Sequence, residues 1–545
     1  MLATRFARRS APALFLAVFL AACGGSTKQP AIDPKVLEQR LNAIVQSVTA
    51  AQPGSELVAK AEGPAKVEAK DDGTVTGTFP RITFTGKDGA NAVLENVSIK
   101  FMVGEEGQTP FEVTVPSTFT VKDKDGKVVG EAKIGSQTMK GVWVEKLQTV
   151  DNLDMHLSNV SISAPGEEGS GKINDIALTG KLQAKGSGLY DGKYDLRVTG
   201  FNVDDPAQKD AFKMATLAIT STIAGAKLEE FAKAALEAGY TLKNPDIFKV
   251  WTGGNFDPKM IAFLKRMPEF MGTIDYSYTV EGIEATHEGK TQFSLRNASF
   301  GFGVGADGTG QTTKVRLTAG LGGMGTSADA PLVPPEADLQ DAAVELEASG
   351  VPGKQLWDIY IDALPAIQAE AKRAAATAAT APATPGPGAA PPAPGSDAPA
   401  PGAEAAGAEM EKLTGEMSMK FMQVLSTAKL AIALNKMNFT TPTARMTGKG
   451  AANYLPAEQM LPVGKFAFRF SGLDALAKAM EKRGKKDEMA QQVMGYVTAV
   501  RAMGKPDPAS APNDPAYIIE IEITKDGKIL SNGQDMSGAA GGAPG

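Results

Sequence analysis

Apolar and polar positions follow two different periods along this chain, and the changes of period divide it. From about Leu57 to Val203 the period is two. Thr74-Val75-Thr76, Arg81-Ile82-Thr83-Phe84-Thr85, Val97-Ser98-Ile99-Lys100-Phe101 and Phe119-Thr120-Val121-Lys122 each put their apolar side chains on one side of a strand. So do Leu157-Ser158-Asn159-Val160-Ser161-Ile162 and Asp195-Leu196-Arg197-Val198. Asp72-Gly73, Asp88-Gly89, Asp125-Gly126 and Asp191-Gly192 punctuate the runs, and Asp-Gly between alternating segments predicts hairpins. Together these predict a meandering antiparallel sheet with one buried face.

Helical spacing brackets this region. Asp33-Pro34 supplies an N-cap and a first-turn proline, and Leu37, Leu41, Ile44, Val45 and Val48 then share one face of a packing helix. Residues 206–268 read as helical. Leu228, Phe231, Ala232 and Leu236 make a stripe that ends at Gly239, and Phe256-Asp257-Pro258 opens a helix carrying Ile261, Leu264 and Met267. Period two returns over Thr273–Val280, Thr291–Phe302 and Lys314–Leu321. A helix is expected from about Glu336 to Arg373, broken near Gly350–Gly353.

Residues 374–407 are almost entirely Ala, Pro, Gly and Thr, a composition that buries no core and predicts a disordered, partly extended linker. Beyond it, Glu409–Thr427 reads as helix. Strands follow near Leu430–Phe439, Thr443–Tyr454 and Lys465–Phe470, then a helix over Leu473–Met503 broken at Gly484. Tyr517–Thr524 and Lys528–Leu530 close the chain as a hairpin. The expected class is α+β: a large, mainly antiparallel, meandering β-sheet with interposed helices. Residues 33–373 form a β-rich domain with helical insertions. Residues 408–536 form an α+β region that either stands alone or completes the same fold, and 537–545 are a loose tail.

One apolar run fits neither period. Ala11–Ala22 is about 12 residues long, too short for a hydrocarbon core that needs about 20. Arg5, Arg8 and Arg9 precede it and small residues end it, which predicts an export signal over 1–22 followed by a polar tether over 23–32. Leu20-Ala21-Ala22-Cys23 resembles the lipobox of bacterial lipoproteins. The resemblance implies a diacylglycerol on the Cys23 sulfur and an N-acyl chain after cleavage; two or more chains hold a protein stably where one does not. It places the protein in the cell envelope, membrane-bound through the acyl chains on Cys23 and facing the periplasm. Gly24 in place of Asp after the cysteine favours the outer membrane over the inner.

Composition narrows the chemistry. The 545 residues suffice for about two to four domains. Formal charge is −6, and loss of residues 1–22 removes three arginines and no acid, giving −9. That argues against nucleic acid as a partner, since phosphate contacts need clustered cations. Cys23 is the only cysteine, so no intrachain disulfide forms. His156 and His287 are the only histidines, which thins the options for metal sites and general bases.

Short motifs yield to simpler explanations. Gly166–Lys172 has the Gly-x4-Gly-Lys spacing of a phosphate loop, but Ile173 stands where Ser or Thr is required, strand follows instead of helix, and two glutamates sit inside. Gly320-Leu321-Gly322-Gly323-Met324-Gly325 has dinucleotide-loop spacing but leads into a Pro-containing loop, not a helix. Ser426-Thr427-Ala428-Lys429 has the Ser-x-x-Lys spacing of β-lactamase nucleophiles, yet the only Lys-Thr, Lys290-Thr291, precedes Gln292 and lies upstream. Asp123-Lys124-Asp125-Gly126 lacks the remaining calcium ligands of an EF-hand and reads as a hairpin turn. Met410, Met417, Met419, Met422, Met437, Met446 and Met460 have no His or Cys beside them. They read as core filler or the wall of an apolar groove rather than copper ligands. No catalytic, metal or cofactor residue is assigned.

The tail Ile519-Glu520-Ile521-Glu522-Ile523-Thr524-Lys525-Asp526-Gly527-Lys528-Ile529-Leu530-Ser531-Asn532-Gly533-Gln534, after β-runs and interposed helices, is similar to the ends of YdgA-like and, more distantly, AsmA-like envelope proteins. The resemblance implies a long curved antiparallel sheet with an apolar concave face, and no catalytic residues. The leading expectation is a non-enzymatic, lipid-anchored envelope protein that binds an apolar ligand, a lipid, or an envelope component. A structural or assembly factor that meets other envelope proteins is the alternative, and an unplaced hydrolase the third.

Overall fold

Runs rich in Thr, Val, Ile and aromatic residues suit the pleated, half-buried surface of a sheet, and here they build one. A computed structural model describes residues 34–35, 38, 57–86, 89–147, 149–163, 169–239, 257–306, 312–326, 335–380, 401–455, 461–484, 487–511 and 514–536. The signal, Cys23 and the tail from 537 lie outside the described residues, as does most of the expected helix after Asp33. The first strands are β1 (Leu57–Ala61), β2 (Lys66–Ala69), β3 (Val75–Gly86), β4 (Asn91–Phe101), β5 (Gln108–Thr114) and β6 (Thr118–Lys122). Five long ones follow: β7 (Val128–Val144), β8 (Thr149–Ser163), β9 (Ser170–Gly186), β10 (Leu189–Asp205) and β11 (Asp210–Ala226). Helices α1 (Leu228–Glu237) and α2 (Pro258–Phe270) precede β12 (Thr273–His287), β13 (Lys290–Ala306), β14 (Thr313–Thr326) and β15 (Asp341–Val351). Then come α3 (Gly353–Thr380), α4 (Pro401–Ser426), β16 (Leu430–Thr440), β17 (Arg445–Tyr454) and β18 (Val463–Ser471). The chain closes with α5 (Leu473–Arg483), α6 (Glu488–Met503), β19 (Lys505–Pro506), β20 (Tyr517–Ile523), β21 (Ile529–Ser531) and β22 (Gln534–Asp535).

These strands make mostly one large antiparallel sheet. From β7 to β18 each strand pairs with its neighbours in sequence. The helices are excursions from strand ends, and the strands on either side of each excursion still pair. Ile223 of β11 faces Ile274 of β12, Ser349 of β15 faces Ala431 of β16, and Phe470 of β18 faces Tyr517 of β20. The sheet therefore runs unbroken from the expected β-rich region into the expected C-terminal region. Helices α3 and α4 enter the Ala/Pro/Gly stretch from both sides, alanine being the best helix former; 381–400 lie outside the described residues.

Three expectations are corrected. Residues 210–226, expected as helix, are β11. Its Leu217, Ile219 and Ile223 alternate with Thr216, Thr220 and Thr222, and it pairs on both edges, with β10 and β12. Residues 341–351 are likewise β15. Ala342, Val344, Leu346 and Ala348 alternate with Glu345 and Glu347, and pairing with β14 and β16 overrides the helical propensity of Ala, Leu and Glu. Asp191-Gly192 is not a turn but sits inside β10. The hairpin turns at Ser187-Gly188 (φ 54° and 73°), and Asp191 Oδ1 accepts from the Gly225 amide at 2.9 Å.

A line of unpaired positions crosses eight strands. Gly135, Asn159, Asn174, Gly200, Ala215, Gly282, Arg296 and Gly323 drop out of the ladder while residues on either side stay paired. On alternate strands the residue is left-handed: Asn159 (φ 53°), Gly200 (63°), Gly282 (63°) and Gly323 (59°). Across this crease the apolar phase slips by one. On β10 it passes from Leu196 and Val198 to Phe201 and Val203; on β12, from Tyr278 and Val280 to Ile283 and Ala285. The slip keeps one face apolar. Ile134, Val160 and Ile173, beyond the crease, pack in the same cluster as Met139, Leu157 and Ile176 before it.

That face is buried at the N-terminal end. Phe79, Val97, Ile99, Phe101 and Phe111 fill a core closed by β3 to β9. At one end of the strands, α1 and α2 pack with α3 around Met260, Phe263, Phe270 and Ile361. At the other end, α5 and α6 close over Leu476, Met480 and Val497.

Candidate ligand-binding face

Strand register assembles the site from single residues. Paired residues in an antiparallel sheet share a face. Beginning at Met139, one such row runs through Met155, Leu178, Leu196, Ile219, Tyr278 and Phe300. It continues through Ala319, Val344, Met437, Gly448 and Phe468 to Ile519. A parallel row carries Tyr276, Phe302, Leu317, Leu346, Leu434 and, past Gly450, Phe466. With strands about 4.8 Å apart, thirteen strands give an apolar stripe roughly 60 Å long. The opposite face is polar: Asp195, Thr220, Ser277, Gly301, Thr318, Glu345 and Lys436 form the matching row there.

The stripe changes character along its length. On β8 and β9, Met155, Leu157 and Ile176 are buried. Toward the middle it opens: Tyr278 is 41% exposed, Phe300 49%, Leu317 39% and Leu346 39%. Large apolar side chains thus lie on one continuous face, half in water, with a polar face on the reverse of the sheet, a larger exposed apolar run than the scattered single residues of an ordinary surface. Tyr278 and Phe300 lie with ring centroids 6.4 Å apart, their planes tilted by 37°.

Where the strands of this open region meet the helices, the stripe deepens into a cleft of about 810 Å³. Ile274, Phe302, Val304 and Val315 form its sheet side, and Met271 and Trp357 its helical side. Phe302 belongs to both stripe and cleft, so the two are continuous. The volume lies within the range of small-molecule sites. The Trp357 indole N–H donates to the Leu264 carbonyl at 2.7 Å and ties α3 to α2. Asp257 caps α2 by accepting from the Met260 amide at 2.8 Å, with Pro258 in the first turn. Lys354, the one lysine on the cleft wall among the described residues, is paired with Asp358 at 2.7 Å.

A polar clamp holds α1 to the sheet beside this region. Tyr190 OH donates to Glu229 Oε1, and Lys146 Nζ lies 2.9 Å from the same oxygen. Hydrogen bonds from Tyr190 and then Lys146 lower the Glu229 pKa. The partners Tyr190 and Glu229 push that of Lys146 up to about 12. Burial, foremost, raises that of Tyr190.

The residues singled out by motif are not brought together. His156, on β8, places Nε2 3.1 Å from Asp154 and Nδ1 3.8 Å from Asp175, while Ser158 donates to Asp175 and not to the imidazole. His287 is at a hairpin end with Nδ1 2.8 Å from Asp210. Gly320–Gly325 lie within β14, and Lys172 within β9; neither glycine motif opens a helix. Ser426 ends α4 and donates back to the Gln423 carbonyl. Asp123 Oδ1 accepts from the amides of Asp125 and Lys127, the turn expected of it. Of the methionines, Met437 lies in the apolar stripe, Met419 and Met422 are exposed on α4, and Met460 lies outside the described residues. Among the described residues no cluster of His, Cys, Asp and Glu is placed to hold a metal, and no helix is long and apolar enough to cross a membrane.

Pattern along the chain alone does not assign Tyr276, Tyr278, Phe300, Phe302, Leu317 and Leu346 to a site. The signal is present as alternation within each strand, but only the register shows that the alternations fall in phase. Comparison with known proteins gives no relative: no family model, no curated protein and no solved structure matches this chain.

Proposed function

We propose that this protein is a non-enzymatic cell-envelope protein that binds an apolar ligand, such as the chains of a lipid, on the open face of its sheet. The observation that carries the reading is the half-exposed stripe Tyr278–Phe300–Leu317–Leu346 running into the α2–α3 cleft. Leaving such side chains in water forgoes about 25 cal/mol for every Å² of apolar surface that burial would remove from it, and an apolar ligand recovers that term. The fold that serves this role is an α+β meander whose helices cap the strand ends and leave the face between them open. Acylation of Cys23, with the protein facing the periplasm from the outer membrane, supplies the location.

The test is extraction of lipid from full-length protein purified without detergent exchange, read by mass spectrometry. Native protein should yield a stoichiometric lipid, and a Phe300→Ser/Phe302→Ser variant should yield at least about tenfold less. Clean native protein removes the proposal. Location is tested separately: a fatty-acid probe should label native protein and leave Cys23→Ala unlabelled.

A further inference from the structure

On the polar face of the same sheet, opposite the apolar stripe, four cations converge on one open pocket of about 540 Å³. Lys436 on β16, Arg445 and Lys449 on β17, and Arg469 on β18 all line it. Register explains the grouping. Thr447 faces Arg469, so Arg469 is the diagonal neighbour of both Arg445 and Lys449. A bulge between Leu434 and Met437 sets Asn435 and Lys436 opposite Lys449 alone. Like charges opposite one another destabilise a sheet, and neither lysine takes part in an ion pair among the described residues.

Both arginines are held from behind. Buried Asn438 donates to Asp341 at 2.7 Å and accepts from Arg445 Nε at 3.1 Å. Buried Asp507 accepts from Arg469 Nε at 2.8 Å. Each guanidinium is thus fixed through Nε, which leaves its two terminal amino groups for another partner. The carboxylates nearby are engaged or set aside. Asp341 and Asp507 are the supports themselves and Glu522 pairs with Lys465; Glu345, directly cross-strand from Lys436, accepts from Asn435 Nδ2 at 3.5 Å, makes no ion pair with that lysine and, like Glu520, does not line the pocket. Oriented guanidinium forks beside unpaired ammonium groups match the geometry and charge of a phosphate group.

We propose that this pocket binds a phosphate-bearing ligand through Arg445, Arg469, Lys436 and Lys449. The site lies on the other side of the sheet from the apolar stripe and does not depend on that face holding a ligand. Two sources carry the chemistry, a soluble phosphate ester and an anionic lipid headgroup. Calorimetric titration of the full-length protein with glycerol 3-phosphate tests the first, and co-sedimentation with phosphatidylglycerol against phosphatidylcholine vesicles tests the second. In at least one arm native protein should bind, and Arg445→Gln/Arg469→Gln should weaken binding by about tenfold or more. Lys436→Gln/Lys449→Gln, which leaves the Asp341–Asn438–Arg445 and Asp507–Arg469 supports intact, should weaken it in the same direction and retain the native circular dichroism. Binding in neither arm, or binding unchanged by the lysine pair, overturns the proposal.

Discussion

At the scale of single residues, the same side-chain types do two jobs, set by what lies over them. Phe79 is fully buried among Ile82, Leu94 and Val97 in the closed end of the sheet, whereas Phe300 stands half in water. Truncating the first opens a cavity; truncating the second removes surface the solvent already touches. Phe79→Ala should lower unfolding free energy by about 3–5 kcal/mol in denaturant titration. Phe300→Ser should change it by less than about 1 kcal/mol while abolishing ligand retention. A large loss for Phe300→Ser would mean that this face is covered by protein. The clamp on α1 makes a pH prediction with a definite sign. The Lys146 pKa is raised to about 12, so its contribution is complete below its ordinary value near 10.4 and is lost as pH climbs through about 12. Glu229 is lowered, so its contribution is present above its ordinary range and is lost as acid protonates it. Glu229→Gln should flatten both limbs of the stability–pH curve for α1, followed by amide hydrogen exchange of residues 228–237.

Single elements owe their shape to where the period-two pattern slips. Gly282 has φ 63°, and a Cβ there would stand 2.7 Å from Ala215 Cβ. Gly282→Val should therefore destabilise by roughly 2–4 kcal/mol, combining left-handed strain for a β-branched residue with a steric clash; an unchanged melting temperature would contradict the crease. The same slips explain which parts of the fold are legible in the sequence. Strands such as β6 and β18, with clean alternation, and the closing hairpin of β20 and β21 are readable directly. Strands β11 and β15 are not, because Ala, Leu, Met and Glu carry helical propensity and only partners far along the chain decide against it. The turn at Ser187-Gly188 is hidden behind the more familiar Asp191-Gly192 that follows it. The binding face is invisible for a related reason: no one strand contains it, and phase between strands is a property of register.

Across the whole molecule, one sheet is closed at one end and open along the rest. The closed end supplies a conventional core, and the helices at both strand ends seal what would otherwise be frayed ladders. Between them the apolar face spans from β11 to β18, and Tyr278, Phe300, Leu317 and Leu346 stay open among the described residues. A sheet of this kind gains from burial only where something else lies on it, which suits the open face to receive apolar chains. Labelling full-length protein with a diazirine-bearing fatty acid and mapping the adducts by peptide mass spectrometry measures this directly. Adducts should concentrate on β12 to β15 and the adjoining α2–α3 cleft, and unlabelled lipid should compete them away. Adducts spread over the polar face, or none above background, would contradict a lipid-receiving role for the open face.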